Sequence, residues 1–214
     1  MSDLQGIFTG AVAAVETRAR GLDESLLWPE EGAALGEVVD GRRWDWVMGR
    51  RCAREAMERL GVQPVPLLSG DAREPLWPEG VVGAITHTRG YAAAAVARKG
   101  EVRAIGIDAE PDEPLPEGVL RRVSVASERS WIESGHDLGV AHPDRLLFSV
   151  KESIYKAWYP MARSWLGFED ARVRVDAASQ TFEAEILVEG PFAGVQGRYG
   201  AVDGLLLTAI ELYH

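Results

Sequence analysis

Glu152 and Lys156 stand four residues apart in the run Phe148-Ser149-Val150-Lys151-Glu152-Ser153-Ile154-Tyr155-Lys156-Ala157-Trp158, and a second acidic pair, Asp108 and Glu110, ends the apolar run Ile105-Gly106-Ile107. In an extended chain, residues i and i+2 leave from one face, so the Asp108 and Glu110 carboxylates project together. Two carboxylates side by side repel unless a cation lies between them. A hard ion such as magnesium suits all-oxygen ligands and keeps positions for water and phosphate oxygens. If Phe148 to Trp158 is a helix, Val150, Ile154, Ala157 and Trp158 form a buried stripe. Ser149, Glu152, Ser153 and Lys156 then share the opposite stripe, facing away from the core. A Glu and a Lys at this spacing are also the commonest solvated helix pair, worth only a few tenths of a kcal/mol. The second acidic cluster upstream tips the reading toward a site.

Cations gather elsewhere. Between residues 42 and 54 the chain carries Arg42, Arg43, Arg50, Arg51 and Arg54 against Asp45 alone. On a helix, Arg43, Arg50 and Arg54 fall in one narrow stripe, beside a core stripe of Trp46, Ala53, Ala56, Met57 and Leu60. Three aligned guanidinium groups match the oxygens of a phosphate. His87 follows the apolar run Val81 to Thr86 at a strand end, whereas His136, His142 and His214 have no comparable partners and no zinc spacing. Cys52, the single cysteine, lies among arginines and reads as a structural thiol that cannot form an internal disulfide.

The positioning elements follow from periodicity. A strand-like run covers Gly10 to Val15, with a loop at Trp28-Pro29 and a helix from about Arg43 to Leu60. Strands near residues 82–86, 91–97 and 103–108 are expected to complete a first half. Tyr91 to Ala97 is alanine-rich enough for a helix, but the turns at Gly90 and Lys99-Gly100 bracket a hairpin-length strand. The proline-rich, acidic stretch Pro111 to Pro116 reads as a loop between halves. Helices near 118–123, 127–134 and 143–160 come next, then strands near 171–176, 181–188, 194–201 and 205–212.

Composition sets the outer limits. A chain of 214 residues with 46% hydrophobic content can bury a substantial core as one unit or two small halves. A net charge of −10 argues against nucleic acid as the main partner. No apolar run is long enough for a membrane span and no basic start precedes an apolar segment, so a cytoplasmic location is expected.

Gly106-Ile107-Asp108-Ala109-Glu110 followed by Phe148 to Ala157 resembles the paired signature of the 4'-phosphopantetheinyl transferases. Arg50 to Arg54, Gly70 to Pro78, Ile85-Thr86-His87, Trp165 to Asp170 and Leu207 to Ile210 extend the likeness along nearly the whole chain. The resemblance is to the larger monomeric branch that activates surfactin and enterobactin synthetases, and within it to actinobacterial members. It implies an α/β (α+β) fold of two pseudo-twofold halves, residues 1–106 for the coenzyme A nucleotide and 107–214 for magnesium and the catalytic helix, with the active site in the crevice between them. Asp108, Glu110 and Glu152 would then hold Mg2+. Arg43 or Arg42, with Arg50 and Arg73, would contact coenzyme A at its nucleotide. Thr86, His87, Asp108, Lys151 and Lys156 would complete the coenzyme A set, and Glu152 and Lys156 would be catalytic. Glu152 would take the proton of a carrier-protein serine, directly or through a metal-bound water. The expected partners are coenzyme A and apo carrier proteins, and the expected state is a monomer. Ser69 departs from the pattern, standing where related chains can carry lysine. Two rival classes are a different coenzyme A-dependent transferase and an inactive relative that binds carrier proteins. The first would need no three magnesium carboxylates, and the intact Asp108, Glu110, Glu152 and Lys156 argue against the second.

Overall fold

The computed structural model describes residues 3–35, 40–133, 135 and 137–214, so the expectation for His136 lies outside the described residues. The chain divides into two units. Residues 1–105 with the terminal Tyr213–His214 form the first, and Gly106–Leu212 the second.

In the first unit, α1 (Asp3–Ile7) precedes β1 (Val12–Thr17), and α2 (Pro29–Leu35) precedes the 20-residue α3 (Asp40–Arg59). A hairpin of β2 (Val81–Thr88) and β3 (Tyr91–Arg98) completes it. The sheet order is β1-β3-β2, antiparallel throughout. β3 is therefore the central strand, and residues 91–97 are all buried. Its alanines have high helix propensity, yet the central position overrides it because small side chains let α3 lie close to the sheet. Ala53, Ala56 and Met57 of α3 meet Ala94 and Val96 there, with Leu60 packed at the margin. Cys52 belongs to the same cluster, and burial pushes its thiol up to about 12, as befits a structural thiol. Trp28-Pro29 departs from expectation: it opens α2, with proline in the first helical turn, where its missing N–H costs nothing.

The second unit carries β4 (Ala104–Pro111), then α4 (Val119–Val123), α5 (Ala126–Glu133) and the 20-residue α6 (Pro143–Ala162). β5 (Ala171–Asp176), β6 (Thr181–Ile186), β7 (Gly194–Val202) and β8 (Leu205–Leu212) close the chain. The sheet order is β4-β8-β7-β6-β5. The strand expected near 103–108 thus joins the second sheet, not the first, and the division between units falls within it rather than in the proline-rich stretch.

On α6 the expected apolar stripe is present: Val150, Ile154, Ala157 and Trp158 are all buried. The polar stripe is not uniform. Ser149 and Ser153 are fully buried, contrary to the expected outward face. The Ser149 hydroxyl lies 3.0 Å from that of Thr208 on β8, and Ser153 donates to the Val150 carbonyl at 2.7 Å. Small side chains are required here because β4 runs close against the helix. A Cβ at Gly106 would collide with the Ser153 carbonyl, so only glycine fits.

Candidate active site

In the second unit, β4 and α6 bring an acid and a base together. Lys156 Nζ donates to Asp108 Oδ1 at 2.8 Å, with Asp108 buried and Lys156 partly exposed. Glu152, one turn earlier on α6, is half-buried. Burial first, and the charge of Asp108 second, push its carboxyl above the usual value, while Lys156 opposes the shift. Glu110 moves the same way for the same two reasons, with Arg145 opposing. Arg145 donates to Glu110 Oε2 at 2.9 Å and to the carbonyls of Glu113 and Pro114. Sequence reading missed Arg145. The signal was there, because spacings of seven and eleven residues put 145, 152 and 156 on one helical stripe.

The three carboxylates do not form the converged ligand set that was expected. Among the described residues, no three His, Cys, Asp or Glu side chains are grouped closely enough to hold one metal ion. Like charges repel, and here each of Asp108 and Glu110 turns toward a cation on α6 instead. Their chemistry nevertheless fits a hard cation. All donors are carboxylate oxygens, and two of the three have carboxyls raised partly by a neighbouring acid, a penalty that a bound dication would reverse.

Lys151 is a second correction. Expected beside a phosphate, it is buried, donating to Glu128 Oε2 at 2.8 Å and to the Phe168 carbonyl at 2.7 Å. Burial lowers its pKa against the pull of Glu128. Glu128, 0% exposed, also accepts from the N–H groups of Val125 and Val173. This lysine ties α6 to α5 and to the turn that precedes β5, so its charge is used inside the unit.

The first unit shows the same sorting of cations. Arg54 is buried and bonded to Glu31 and to the Leu26 carbonyl, so it does not join an arginine stripe for a ligand. Arg50 is likewise buried, donating to the Leu67 carbonyl at 3.2 Å and to Ser69 Oγ at 3.0 Å, with its guanidinium over the Trp46 ring. Burial lowers its pKa to about 10. Arg50 therefore anchors the start of the loop carrying Arg73 rather than standing open to a phosphate. The loop itself is tight: Ser69 bridges to Pro75, and the Glu74 carboxylate accepts from Ala72 N–H. Arg73 is exposed, as is Arg42, and Arg43 pairs with Glu24 at 3.1 Å.

Thr86 and His87 are neighbours on β2 and point to opposite faces. Thr86 is 2% exposed, whereas the His87 side chain is 51% exposed with Nδ1 3.3 Å from Asp45 Oδ2. Asp45 was missed as a partner of His87, because the two meet only when α3 lies against the hairpin.

Residues 30–97 match the model of the 4'-phosphopantetheinyl transferase N-terminal domain, and residues 104–198 match that of the 4'-phosphopantetheinyl transferase superfamily. Over 200 residues the chain is 47% identical to 4'-phosphopantetheinyl transferase Svp of Streptomyces mobaraensis, covering 88% of this chain and 79% of that one. The chain belongs to the 4'-phosphopantetheinyl transferase superfamily. Other relatives of this phosphopantetheinyl transferase agree. Npt of Nocardia iowensis is 44% identical over 196 residues (85% of this chain, 87% of that one), and PptT of Mycobacterium tuberculosis 43% over 194 (86% and 85%). Enterobactin synthase component D of Salmonella typhi is more distant, at 29% over 153 residues (71% and 62%). The family transfers the phosphopantetheine arm of coenzyme A to carrier proteins and is generally magnesium-dependent. Its fold, two sheets with helices, is the one observed. No helix among the described residues is long and apolar enough to cross a membrane.

Proposed function

We propose that this phosphopantetheinyl transferase modifies a serine of apo carrier proteins of peptide, polyketide, siderophore or fatty-acid synthases, working as a monomer in the cytoplasm. The observation that carries the reading is the α6 stripe of Glu152 and Lys156, with Lys156 bonded to Asp108 at the end of β4. Asp108, Glu110 and Glu152 are the residues that would hold magnesium, which when bound neutralises the pyrophosphate of coenzyme A. Lys156 is partly exposed and exchanges Asp108 for a phosphate oxygen, since an ammonium is a point charge on a flexible stem. Glu152 accepts the proton of the carrier serine, directly or through a water.

The serine oxygen then forms a bond to the β-phosphorus, the bond to the bridging oxygen breaks, and adenosine 3',5'-bisphosphate leaves. Such a transfer depends on positioning and charge neutralisation, so no covalent enzyme intermediate is required. Beside Lys156 in sequence, Tyr155 lies 4.9 Å ring to ring from Trp165, which is 71% exposed. That aromatic surface suits the uncharged pantetheine chain. In the first unit, Arg42, Arg43, Arg73 and His87 are the residues assigned to the nucleotide, with Arg50 holding the Arg73 loop and Thr86 supporting β2 from within. The test is direct: incubate the protein with coenzyme A, magnesium and several apo carrier proteins and weigh the products. A gain of one phosphopantetheine on a carrier is expected; coenzyme A binding with no gain on any carrier contradicts the reading.

A further inference from the structure

All three guanidinium nitrogens of Arg145 are engaged at the end of β4. Nη1 donates to Glu110 Oε2 at 2.9 Å, Nε to the Glu113 carbonyl at 3.0 Å and Nη2 to the Pro114 carbonyl at 2.9 Å. The loop after β4 is fastened to the start of α6 by other groups as well. Asp112 accepts from the N–H groups of Ala141 and His142, each at 2.9 Å, and Asp144 Oδ2 accepts from Leu115 N–H at 2.9 Å. Residues 112–115 and 141–145 therefore form one hydrogen-bonded clamp, with Glu110 at its edge.

The two acids of β4 are held in different ways. Lys156 reaches Asp108 with an ammonium on a flexible stem, and its side chain is 26% exposed. The Arg145 side chain is 15% exposed, and its planar fork is fixed by two backbone carbonyls that do not depend on Glu110. A phosphate can draw the lysine away from Asp108, whereas the guanidinium keeps its carbonyls. Its bond to Glu110 uses Oε2 and leaves Oε1 to another partner.

A cation beside a metal-binding carboxylate has two opposed effects. Its charge repels a dication, but its hydrogen bond orders the carboxylate in advance, so that binding need not immobilise a free side chain. Here the charge is already offset by Glu110 itself and by the two carbonyl dipoles, and the ordering effect outweighs the repulsion. Without Arg145, a glutamate at the end of a strand would be free to turn into water.

We infer that Arg145 is a positioning residue for the divalent cation: it stays on Glu110 Oε2 when the cation and coenzyme A bind and presents Oε1 to the cation, while Lys156 is the partner that exchanges. The inference rests on the magnesium and coenzyme A reading above, and it adds a residue that binds neither.

The experiment uses the full chain with saturating coenzyme A and no carrier protein. Manganese(II) is the probe, its free concentration read by electron paramagnetic resonance. Arg145→Lys keeps the charge and loses the fork, so it is expected to weaken manganese about 10- to 100-fold, the usual loss when the hydrogen-bond partner of a metal ligand is removed. Glu110→Gln should weaken it too. In the double variant, Arg145→Lys should add nothing further, because Arg145 acts through Glu110. In transfer assays of Arg145→Lys, the magnesium concentration for half-maximal rate should rise by the same factor, with most of the rate recovered at saturating magnesium. Wild-type protein offers a check that needs no variant: on adding magnesium, the Nε–H resonance of Arg145 should persist while the Lys156 ammonium resonance shifts. Unchanged manganese affinity in Arg145→Lys, fully additive losses in the double variant, or loss of the Arg145 resonance on adding magnesium overturns the inference. Failure of the transferase reading looks different, as no carrier would gain mass even with wild-type protein at saturating magnesium.

Discussion

The two units bury a glutamate in the same way. Glu31 in the first and Glu128 in the second are both 0% exposed. Each accepts the backbone N–H three residues before it, of Trp28 and Val125, as in the reciprocal half of a capping box. Each accepts a second N–H from a segment that follows the long helix, Leu67 in one unit and Val173 in the other. Each is bonded to a cation of the long helix, Arg54 on α3 and Lys151 on α6. What differs is the remainder of those helices. α3 offers Arg42 and Arg43 with Asp45 turned to His87, whereas α6 offers Glu152 and Lys156 beside Asp108. One structural device therefore supports opposite electrostatics. A cation in a charged helical motif can belong to the scaffold of its own unit or to chemistry, and only its partner decides which.

The comparison breaks if the two buried pairs are not equivalent in stability. Removing one partner of such a pair leaves the other charge buried and unpaired. Glu31→Ala and Glu128→Ala are each expected to cost about 3–5 kcal/mol in urea unfolding of their own unit. A cost below about 1 kcal/mol for either would mean that its cation is better solvated than the geometry indicates. Next in size, Asp108→Ala is expected to lower transfer about 10²- to 10³-fold at saturating carrier, the usual cost of losing one aimed electrostatic group. Near-normal turnover would take Asp108 out of the chemistry.

A smaller effect sharpens the account of α6. In magnesium-free protein, the Glu152 carboxyl should titrate above 4.5, because burial and Asp108 both disfavour its charge. In Asp108→Asn the second cause disappears, so the carboxyl NMR titration of Glu152 should move to lower pH. A midpoint that stays in place or rises in the variant contradicts the assigned cause.

Much of the fold was legible because periodicity is local. The β2–β3 hairpin, α3, α6 and the strands from β5 to β8 follow from apolar spacing and turn residues alone. Membership of β4 in the second sheet was not legible, since strand order is a long-range choice that a single strand's pattern does not encode. In the site, Asp108, Glu152 and Lys156 were singled out by type and spacing, and Lys156 does meet Asp108. Lys151 and Arg50 were read as open cations, but the partners that bury them, Glu128 and the Leu67 carbonyl with Ser69, come from distant segments. Asp45 and Arg145 were overlooked for the same reason: each is an ordinary helical charge until a hairpin or a strand end is packed beside it.

The central claim is that adjacent residues on α6 do different work, Glu152 chemistry and Lys151 structure. The measurement is the transfer rate per folded molecule, followed by mass gain on an apo carrier, for Glu152→Gln and for the paired variant Glu128→Gln/Lys151→Met. Replacing both partners of a buried ion pair with neutral groups of similar size leaves no unpaired buried charge, and because the glutamine has a single acceptor oxygen for the two N–H groups that Glu128 accepts, the rate is taken per folded molecule. The account predicts that Glu152→Gln melts like wild type yet transfers about 10²- to 10³-fold more slowly, while the paired variant keeps the wild-type rate. A paired variant as slow as Glu152→Gln, in folded protein, would contradict it.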